Sequence, residues 1–254
     1  MLEHVPADVT ITVTVSPRRG IEHTLDLAER LTKHGYSVVP HLSARLVRDR
    51  EHLAQIVARV DELGAGDVFV VAGDADTPAG EFAGAAALLE AMAEIGHGFE
   101  EVGITGYPES HPIIPDETTI QAMFEKARFA TYIVSQICFD PTVTAGWVER
   151  VWSRGTRLPI HIGIPGAVPR TKLLHISTTI GLGASARFLR RHRSWFAHAL
   201  RPGGFDPDPL IAGLEPSLAD PERKVAGFHI FTSNDLADTE RWRQRTLERH
   251  RNER

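Results

Sequence analysis

The feature that most constrains the fold is an alternation of short β-branched runs with amphipathic stretches along the chain. Eight runs have the length and composition of buried strands. They cover residues 2–5, 9–15, 37–42, 67–72, 102–107, 132–138, 160–164 and 226–231. Because strands that alternate with helices form parallel sheets, this order predicts an α/β protein.

The segments between the strands have the apolar spacing of helices. Predicted helices cover residues 21–34, 50–63, 82–95, 116–129, 141–153, 170–180, 185–200 and 234–249. In the first of them Leu25, Leu27, Ala28 and Leu31 lie mostly along one stripe, and Gly35 is a suitable C-terminal stop. Asp140, followed by a proline, predicts the start of the fifth helix.

Eight strands in a chain of 254 residues predict one (β/α)8 TIM-type barrel domain over residues 1–254, since such barrels use about 250 residues. Only residues 6–8 separate the first two predicted strands, which is too short for a crossover helix. Either the barrel lacks the helix between its first two strands, which we expect, or segment 2–5 is not a barrel strand. Residues 201–224 are rich in proline and glycine and predict an irregular surface connection.

Composition excludes several classes of protein. The net charge of −5 does not favour nucleic acid, and the basic runs 187–196 and 240–254 are typical of solvated helix faces. No apolar run reaches the roughly 20 residues of a membrane span, and the N-terminus lacks the pattern of a signal peptide. We therefore expect a cytoplasmic protein without membrane or nucleic-acid partners.

The single cysteine, Cys138, lies in an apolar run and is predicted to be a core residue.

Polar residues follow the predicted strands at their carboxyl ends, where α/β barrels place their chemistry. One such segment, GYPESHP at residues 106–112, holds Tyr107, Glu109 and His111 between two prolines. Another is Gln136, which interrupts the apolar run IVSQICF and needs partners if it is buried. A single polar residue at a strand end is more often a cap or a turn residue, and Asp140 is predicted to be a cap.

Taken in order, several segments resemble the methylenetetrahydrofolate reductase family. GYPESHP is similar to the family's YPExHP signature, and SQICFD at 135–140 is similar to its TQxxFD strand. Weaker similarity is present in PHLSA at 40–44, VVAGDADTPAG at 70–80, GIPGAVP at 163–169 and FHIFTSN at 228–234. The two stronger motifs in sequence are fairly specific, whereas PHL or PG alone is not.

The resemblance implies an NAD(P)H-dependent oxidoreductase of one-carbon metabolism and methionine biosynthesis. Family members reduce 5,10-methylenetetrahydrofolate to 5-methyltetrahydrofolate, using NADH or NADPH and usually a bound flavin. The implied partners are a tetrahydrofolate derivative and a nicotinamide dinucleotide. Neither the choice between NADH and NADPH nor the oligomeric state follows from the resemblance.

The resemblance also implies roles for individual residues. Gln136 would hold the pterin ring through paired amide hydrogen bonds, and Asp74 would lie beside the reacting centre. The implied catalytic residues are Glu3 and Asp74; the substrate-binding residues are Gln136, Tyr107, Glu109, His41 and Phe231; the cofactor-binding residues are Arg18, Arg19, His111 and Lys126. A structural role for Glu109 and His111 is as compatible with the motif as a chemical one.

This chain departs from the family pattern at three places. The family's catalytic glutamate lies in an SFEFFPP-type first strand. In this chain the segment ITVTVSP places Thr14 at the corresponding position. The segment LEHVPA offers Glu3 together with a proline, and we prefer Glu3 as the equivalent of the catalytic glutamate. The arginine of the family's RGD segment is Ala72, and its paired lysines are reduced to Lys126. Its glycine-rich loop after the second strand is SPRRG here. The lost groups grip flavin phosphates in the family, so the chain resembles its short, flavin-independent actinobacterial branch.

The reaction explains why carboxyl groups are needed. The methylene bridge must open to an iminium cation, so that N10 leaves as an amine and needs a general acid. Glu3 is our candidate for that acid, with Glu109 next, and Asp74 is the candidate that stabilises the cation. Besides a flavin-dependent version of the reaction, two other functions remain as alternatives. One is a metal-dependent hydrolase that uses His41, His111 and His229, although the sequence contains no metal-binding motif. The other is a non-catalytic folate-binding subunit.

Overall fold

A computed structural model of the chain describes residues 3–109, 116–169, 171–173, 200–201, 204–218 and 225–252. The predicted helices at 170–180 and 185–200 therefore lie almost entirely outside the described residues, as does His111. The chain divides into two compact units. The first unit comprises Pro6–Thr105 and Gln121–Ile133, and the second comprises Met1–Val5, Gly106–Ile120 and Val134–Arg254. The assignment of residues 1–254 to one domain stays a prediction.

The elements from the N-terminus to the fifth strand alternate as the sequence predicts. They are β1 (Ile11–Val13), α1 (Gly20–Lys33), β2 (Val38–Ser43), a 3-10 turn (Ala44–Leu46), α2 (Arg50–Glu62), β3 (Asp67–Val71), α3 (Ala85–Ile95), β4 (Glu101–Gly106), α4 (Asp116–Ala127) and β5 (Tyr132–Ser135). Helix α1 buries Leu25, Ala28 and Leu31, which confirms three of the four residues of the predicted stripe, and Leu27 is half-buried. Helix α2 begins after Asp49, whose carboxylate accepts the backbone N–H of His52 at 2.8 Å.

The remaining elements are α5 (Pro141–Ser153), β6 (Ile160–Pro165), β7 (Leu200–Arg201), β8 (Gly204–Phe205), α6 (Asp208–Leu218), β9 (Val225–Phe231) and α7 (Leu236–Asn252). Helix α5 begins where the sequence predicts, because the Asp140 carboxylate accepts the backbone N–H of Thr142 at 2.9 Å and that of Val143 at 3.3 Å. In β6 the residues Ile160, Ile162 and Ile164 are buried on one face. The alternate positions from His161 to Pro165 therefore point to the other face of the sheet.

The prediction of an eight-stranded closed barrel is wrong. Seven strands are hydrogen-bonded in the order β1-β2-β3-β4-β5-β6-β9, and within the described residues this order begins at β1 and ends at β9. The four neighbouring pairs β1–β2, β2–β3, β3–β4 and β6–β9 are parallel. Strands β7 and β8 form a separate antiparallel pair. The α/β class and the parallel strands are as predicted, whereas the strand count is not.

The missing eighth strand is the first predicted one. The described part of segment 2–5 is a turn, and the Val9 N–H donates to the Pro6 carbonyl at 3.2 Å in the turn that follows. Pro6 has no N–H to donate to a ladder, and Val5 is the only β-branched residue of segment 2–5, so this segment has little tendency to pair as a strand. The connection at residues 6–8 therefore needs no helix, because segment 2–5 is not a strand. Helix α1 connects β1 to β2 in the ordinary way.

The connection 201–224 also differs from the prediction, because it contains helix α6. Leu210, Ile211 and Leu214 of α6 are buried, and this helix packs on α5. The Leu210 and Ile211 N–H groups donate to the Pro207 carbonyl at 3.0 and 3.1 Å and close the first turn. Prolines at a helix start are compatible with helical geometry, so the proline-rich composition was a poor guide here.

A half-buried carboxyl group at the amino end of β3 makes stability dependent on pH. The Tyr132 hydroxyl donates to both carboxyl oxygens of Asp67, at 3.0 and 3.1 Å. Burial raises the pKa of Asp67 to about 7, and the nearby Glu101 carboxylate adds to the rise, although the Tyr132 hydrogen bond opposes it. The folded protein therefore keeps a proton on Asp67 between pH 4 and 7 that the unfolded chain loses, and stability falls as the pH rises through this window.

We expect Asp67→Asn to stabilise the protein at pH 8 by about 1–2 kcal/mol and to change its stability little at pH 4, since the amide accepts the tyrosine hydroxyl without carrying a charge. Urea unfolding at both pH values measures the difference. The exposed Asp8 provides the control Asp8→Asn, for which no such gain is expected. An equal gain at both pH values would show that ionisation of Asp67 is not the cause.

Candidate active site

The motif that follows β4 is tied to the end of β5. The Gln136 N–H donates to the Gly106 carbonyl at 2.8 Å, which continues the pairing of the two strands beyond Ser135. Tyr107 is half-buried, and Glu109 is buried. The structure therefore brings Tyr107, Glu109 and Gln136, three of the predicted substrate-binding residues, to the carboxyl ends of neighbouring strands.

Gln136 presents one half of its amide for binding. Its side-chain oxygen accepts the N–H of the next residue, Ile137, at 3.0 Å, which fixes the orientation of the amide plane. Within the described part of the chain no residue accepts a hydrogen bond from its NH2 group. A half-buried NH2 group in that state is a ready donor to a polar ligand.

Gly163 of β6 lies against Ser135, the residue before Gln136, and against the ring of Phe231. Its N–H donates to the Ser135 hydroxyl at 2.8 Å, and that hydroxyl donates to the Gln136 carbonyl at 3.2 Å. A Cβ atom at Gly163 would lie 2.0 Å from the Ser135 carbonyl oxygen and 2.7 Å from the Phe231 ring. Only a glycine allows this approach, so Gly163 and Ser135 support the predicted binding residues.

Glu109 contacts the sole cysteine. Cys138 is buried, as predicted, and burial followed by the Glu109 carboxyl group raises the pKa of its thiol to about 12. The thiol hydrogen donates to the Asp140 carbonyl at 3.3 Å. A thiol with this pKa is not a nucleophile at neutral pH, and its contact with Glu109 joins the loop after β4 to the end of β5.

The histidine of β9 is uncharged at neutral pH. Burial and the neighbouring His161 lower the pKa of His229 to about 4, and its ring lies 4.8 Å from that of Phe231. Among the residues that the structure describes, no group of three or more His, Cys, Asp or Glu side chains is placed to hold a metal ion. The hydrolase alternative, which uses His229, therefore gains no support from this part of the chain.

In the first unit, Asp74 lies exposed on the loop that follows β3. The loop turns at Gly73, whose φ is +93°, and lies so close to β2 that a Cβ there would be 1.9 Å from the Ser43 hydroxyl. The Arg45 guanidinium donates to the Asp76 carbonyl at 2.9 Å, and the Arg45 N–H donates to the Ala72 carbonyl at 3.0 Å. The segment after β2 therefore positions the loop that carries Asp74.

His41 lies in a row of rings along the sheet. It is buried, its ring centroid is 4.8 Å from that of Phe69, and Phe69 lies 6.3 Å from Tyr132. Gly103 makes room for this row, since a Cβ there would lie 2.4 Å from the Tyr132 ring. Packing accounts for these contacts, and a role of His41 in binding substrate stays a prediction.

The predicted cofactor-binding cations of the first unit do not form a cluster through any described contact. Arg18 is exposed, and the Arg19 guanidinium lies 2.9 Å from the His23 ring nitrogen at the start of α1. Lys126 is buried in the last turn of α4, where burial lowers the pKa of its ammonium group to about 8. No described side chain forms an ion pair with Lys126.

Glu3, the preferred acid, is exposed in the turn before Pro6 instead of on a strand. No role was predicted for Ser135, Gly163 or Arg45. Ser135 and Gly163 begin the motifs SQICFD and GIPGAVP, which were a usable signal. No local pattern marks Arg45, because its importance comes from contacts with residues distant in sequence.

Residues 1–183, which are more than half of the chain, match the family model described as methylenetetrahydrofolate reductase.

No helix in the described residues has both the length and the apolar character that a membrane span requires.

Several solved structures show distant similarity. A candidate phosphonomutase from Burkholderia cenocepacia J2315 has 16% identity and a TM-score of 0.41, with 60% of this chain and 63% of that chain covered. A 2,3-dimethylmalate lyase of the PEP mutase/isocitrate lyase superfamily has 10% identity and a TM-score of 0.44, with coverage of 79% and 75%. The carboxyl transferase domain of Rhizobium etli pyruvate carboxylase has 12% identity and a TM-score of 0.39, with coverage of 62% and 28%.

Proposed function

Since the chain belongs to the methylenetetrahydrofolate reductase family, we propose that it reduces 5,10-methylenetetrahydrofolate to 5-methyltetrahydrofolate with hydride taken directly from NADH or NADPH. Membership implies an oxidoreductase with a methylenetetrahydrofolate reductase-type function. The observation that carries the proposal beyond the family match is the NH2 group of Gln136, which has no hydrogen-bond acceptor among the described residues and lies at the end of β5, next to the loop that carries Tyr107.

The chemistry assigns a separate task to each proposed residue. A proton from Glu3 reaches N10, the bond from N10 to the methylene carbon breaks, and N5 and that carbon form an iminium cation. The Asp74 carboxylate stabilises the cation electrostatically. Hydride from the dihydronicotinamide then reduces the carbon to a methyl group, so that the nicotinamide is oxidised and the folate is reduced by two electrons.

Gln136 binds the pterin ring in this proposal. Because its amide plane is already fixed by the Ile137 N–H, little ordering is needed when the ligand binds. Loss of the Gln136 amide should weaken folate binding more than it slows the chemical step, because the amide does not take part in proton or hydride transfer.

We expect Gln136→Ala to weaken tetrahydrofolate binding by about 10–100-fold, the cost of one or two lost hydrogen bonds to a ligand. Calorimetric titration measures the affinity, and turnover at saturating folate should fall much less. Gln55→Ala, on the exposed face of α2, is the matched control. Unchanged affinity in the Gln136 variant would show that the pterin lies elsewhere.

The residues present do not fit a flavin bound in the family's usual way. Ala72 replaces the expected arginine, and its carbonyl accepts the Arg45 N–H at 3.0 Å, so this position offers the phosphates no cation. Arg18 and Arg19 are proposed to bind the nicotinamide dinucleotide instead. No step of the reaction is therefore routed through a flavin.

The flavin-dependent version is the second candidate, because Lys126 is buried without a described ion pair and could meet a phosphate. The absorbance spectrum of the purified protein separates the two. Direct transfer predicts no flavin band and full activity without added flavin. A bound flavin whose affinity falls in Lys126→Met would reverse the assignment.

A further inference from the structure

The turn after β9 has a backbone conformation that its residues do not favour. Ser233 and Asn234 have φ values of +48° and +64°, and the Asp235 N–H donates to the Thr232 carbonyl at 2.8 Å. Two central residues with positive φ are typical of a type I′ turn, which favours glycine, asparagine or aspartate. Serine is a poor choice at such a position, so other contacts must hold the turn in place.

Lys172 provides such contacts from a segment 61 residues earlier in the chain. Its ammonium group donates to the Ser233 carbonyl at 3.2 Å and to the Asp235 carboxylate at 2.5 Å. It therefore binds both sides of Asn234. The Asp235 side chain is 23% exposed, so this ion pair is less screened by water than a pair on the open surface.

The same segment also holds the residue that precedes the turn. The Gly166 N–H donates to the Phe231 carbonyl at 3.0 Å, and a Cβ at Gly166 would lie 2.5 Å from the Thr239 hydroxyl of α7. The chain after β6 thus contacts the end of β9 through Gly166, and the following turn through Lys172. The Phe231 ring packs against Gly163.

We propose that Lys172 is a positioning residue for substrate binding: it holds the turn at Ser233 and Asn234 in its left-handed conformation, and this turn helps to fix Phe231, which precedes it at the end of β9. The inference rests on the proposed function, because it assigns Phe231 to the folate site. Lys172 itself touches neither the folate nor the nicotinamide in this scheme. A small displacement of a binding residue lowers affinity even when the reacting groups are intact.

The test compares Lys172→Met with Lys172→Arg and with Lys33→Met. Lys33 is the matched control, because it also pairs with a carboxylate, Glu29, at 2.6 Å but is 72% exposed on α1. We expect Lys172→Met to raise KM for methylenetetrahydrofolate about tenfold with kcat changed by less than about twofold. Lys172→Arg should recover most of the loss, and Lys33→Met should change neither constant.

A second substitution tests the mechanism of positioning. Glycine adopts positive φ without strain, so in a Ser233→Gly background the turn needs less support and Lys172→Met should raise KM only about two- to threefold. A melting temperature that falls in Lys172→Met while KM stays at the wild-type value would overturn the proposal, since it would show a structural role alone.

Hydrogen exchange separates this inference from the proposed function. Amides of residues 231–235 should exchange faster in Lys172→Met than in the wild type, and a spectrum of circular dichroism confirms that the variant is folded. If the wild type does not reduce or bind the folate, the proposed function fails, and the exchange result still decides whether Lys172 holds the turn. Unchanged exchange would overturn the inference whatever the activity.

Discussion

Replacement of Glu3 by glutamine is expected to lower kcat by about 10²–10⁴-fold, the usual contribution of a general acid. The amide has nearly the shape of the carboxyl group but cannot protonate N10, so the methylene bridge opens slowly. Affinity for the folate should stay close to the wild-type value, because the lost interaction is made in the transition state. Steady-state oxidation of NADH with methylenetetrahydrofolate measures both constants.

Glu109→Gln is the informative companion, since Glu109 is buried at the end of β4 whereas Glu3 is exposed in a turn. If Glu3→Gln keeps full turnover and Glu109→Gln loses it, the role of the acid belongs to Glu109. Glu62→Gln, at the exposed end of α2, controls for the loss of a negative charge. Turnover that survives in both variants would exclude both candidates.

Gly163→Ala is expected to destabilise the fold by about 3 kcal/mol or more, at the upper end of what an added methyl group costs in a packed interior. The new Cβ would lie 2.0 Å from the Ser135 carbonyl oxygen, which is a backbone atom and cannot move without shifting β5. The hydrogen bond from the Gly163 N–H to the Ser135 hydroxyl would be disturbed as well. Urea unfolding measures the loss, and folate affinity should fall with it because Gln136 follows Ser135.

Gly146→Ala is the control within the same unit. Gly146 lies in α5, and an added Cβ would meet only the flexible Arg150 guanidinium at 3.5 Å. This substitution should stabilise the protein by about 0.5–1 kcal/mol, because alanine favours the helix more than glycine does. Wild-type stability in Gly163→Ala would show that β5 and β6 are not as close as the structure has them.

Much of the fold could be predicted because its signals are local. The stripe of Leu25, Ala28 and Leu31 and the cap at Asp140 specify helices through spacing and a side-chain acceptor, and both are confirmed. The predictions that were wrong had been based on residue composition and not on backbone geometry. Segment 2–5 has apolar residues at both ends but only one β-branched residue, Val5, and it ends at Pro6, which cannot donate to a ladder. The proline-rich region that contains α6 was judged irregular although proline suits the first turn of a helix.

Part of the candidate site was also within reach of sequence reasoning. Gln136 was marked by its polarity inside an apolar run, and the structure places it beside the loop that carries Tyr107 and Glu109. The roles of Glu3, Asp74, His41, Arg18, Arg19, His111 and Lys126 stay predictions. Membership of the reductase family rests on motif and family similarity, not on the geometry of these residues.

The sequence by itself determined the alternation of strands and helices, the caps, the chemical types of residue at strand ends, and the family. Only the tertiary structure decided that seven strands pair, that Gly163 lies against Ser135, and that Lys172 holds the turn at Ser233 and Asn234. The physical reason is how far apart in the sequence the interacting groups lie. Periodicity and capping act over a few residues, whereas strand count, close backbone approach and a strained turn depend on groups that are distant in the chain and meet only after folding.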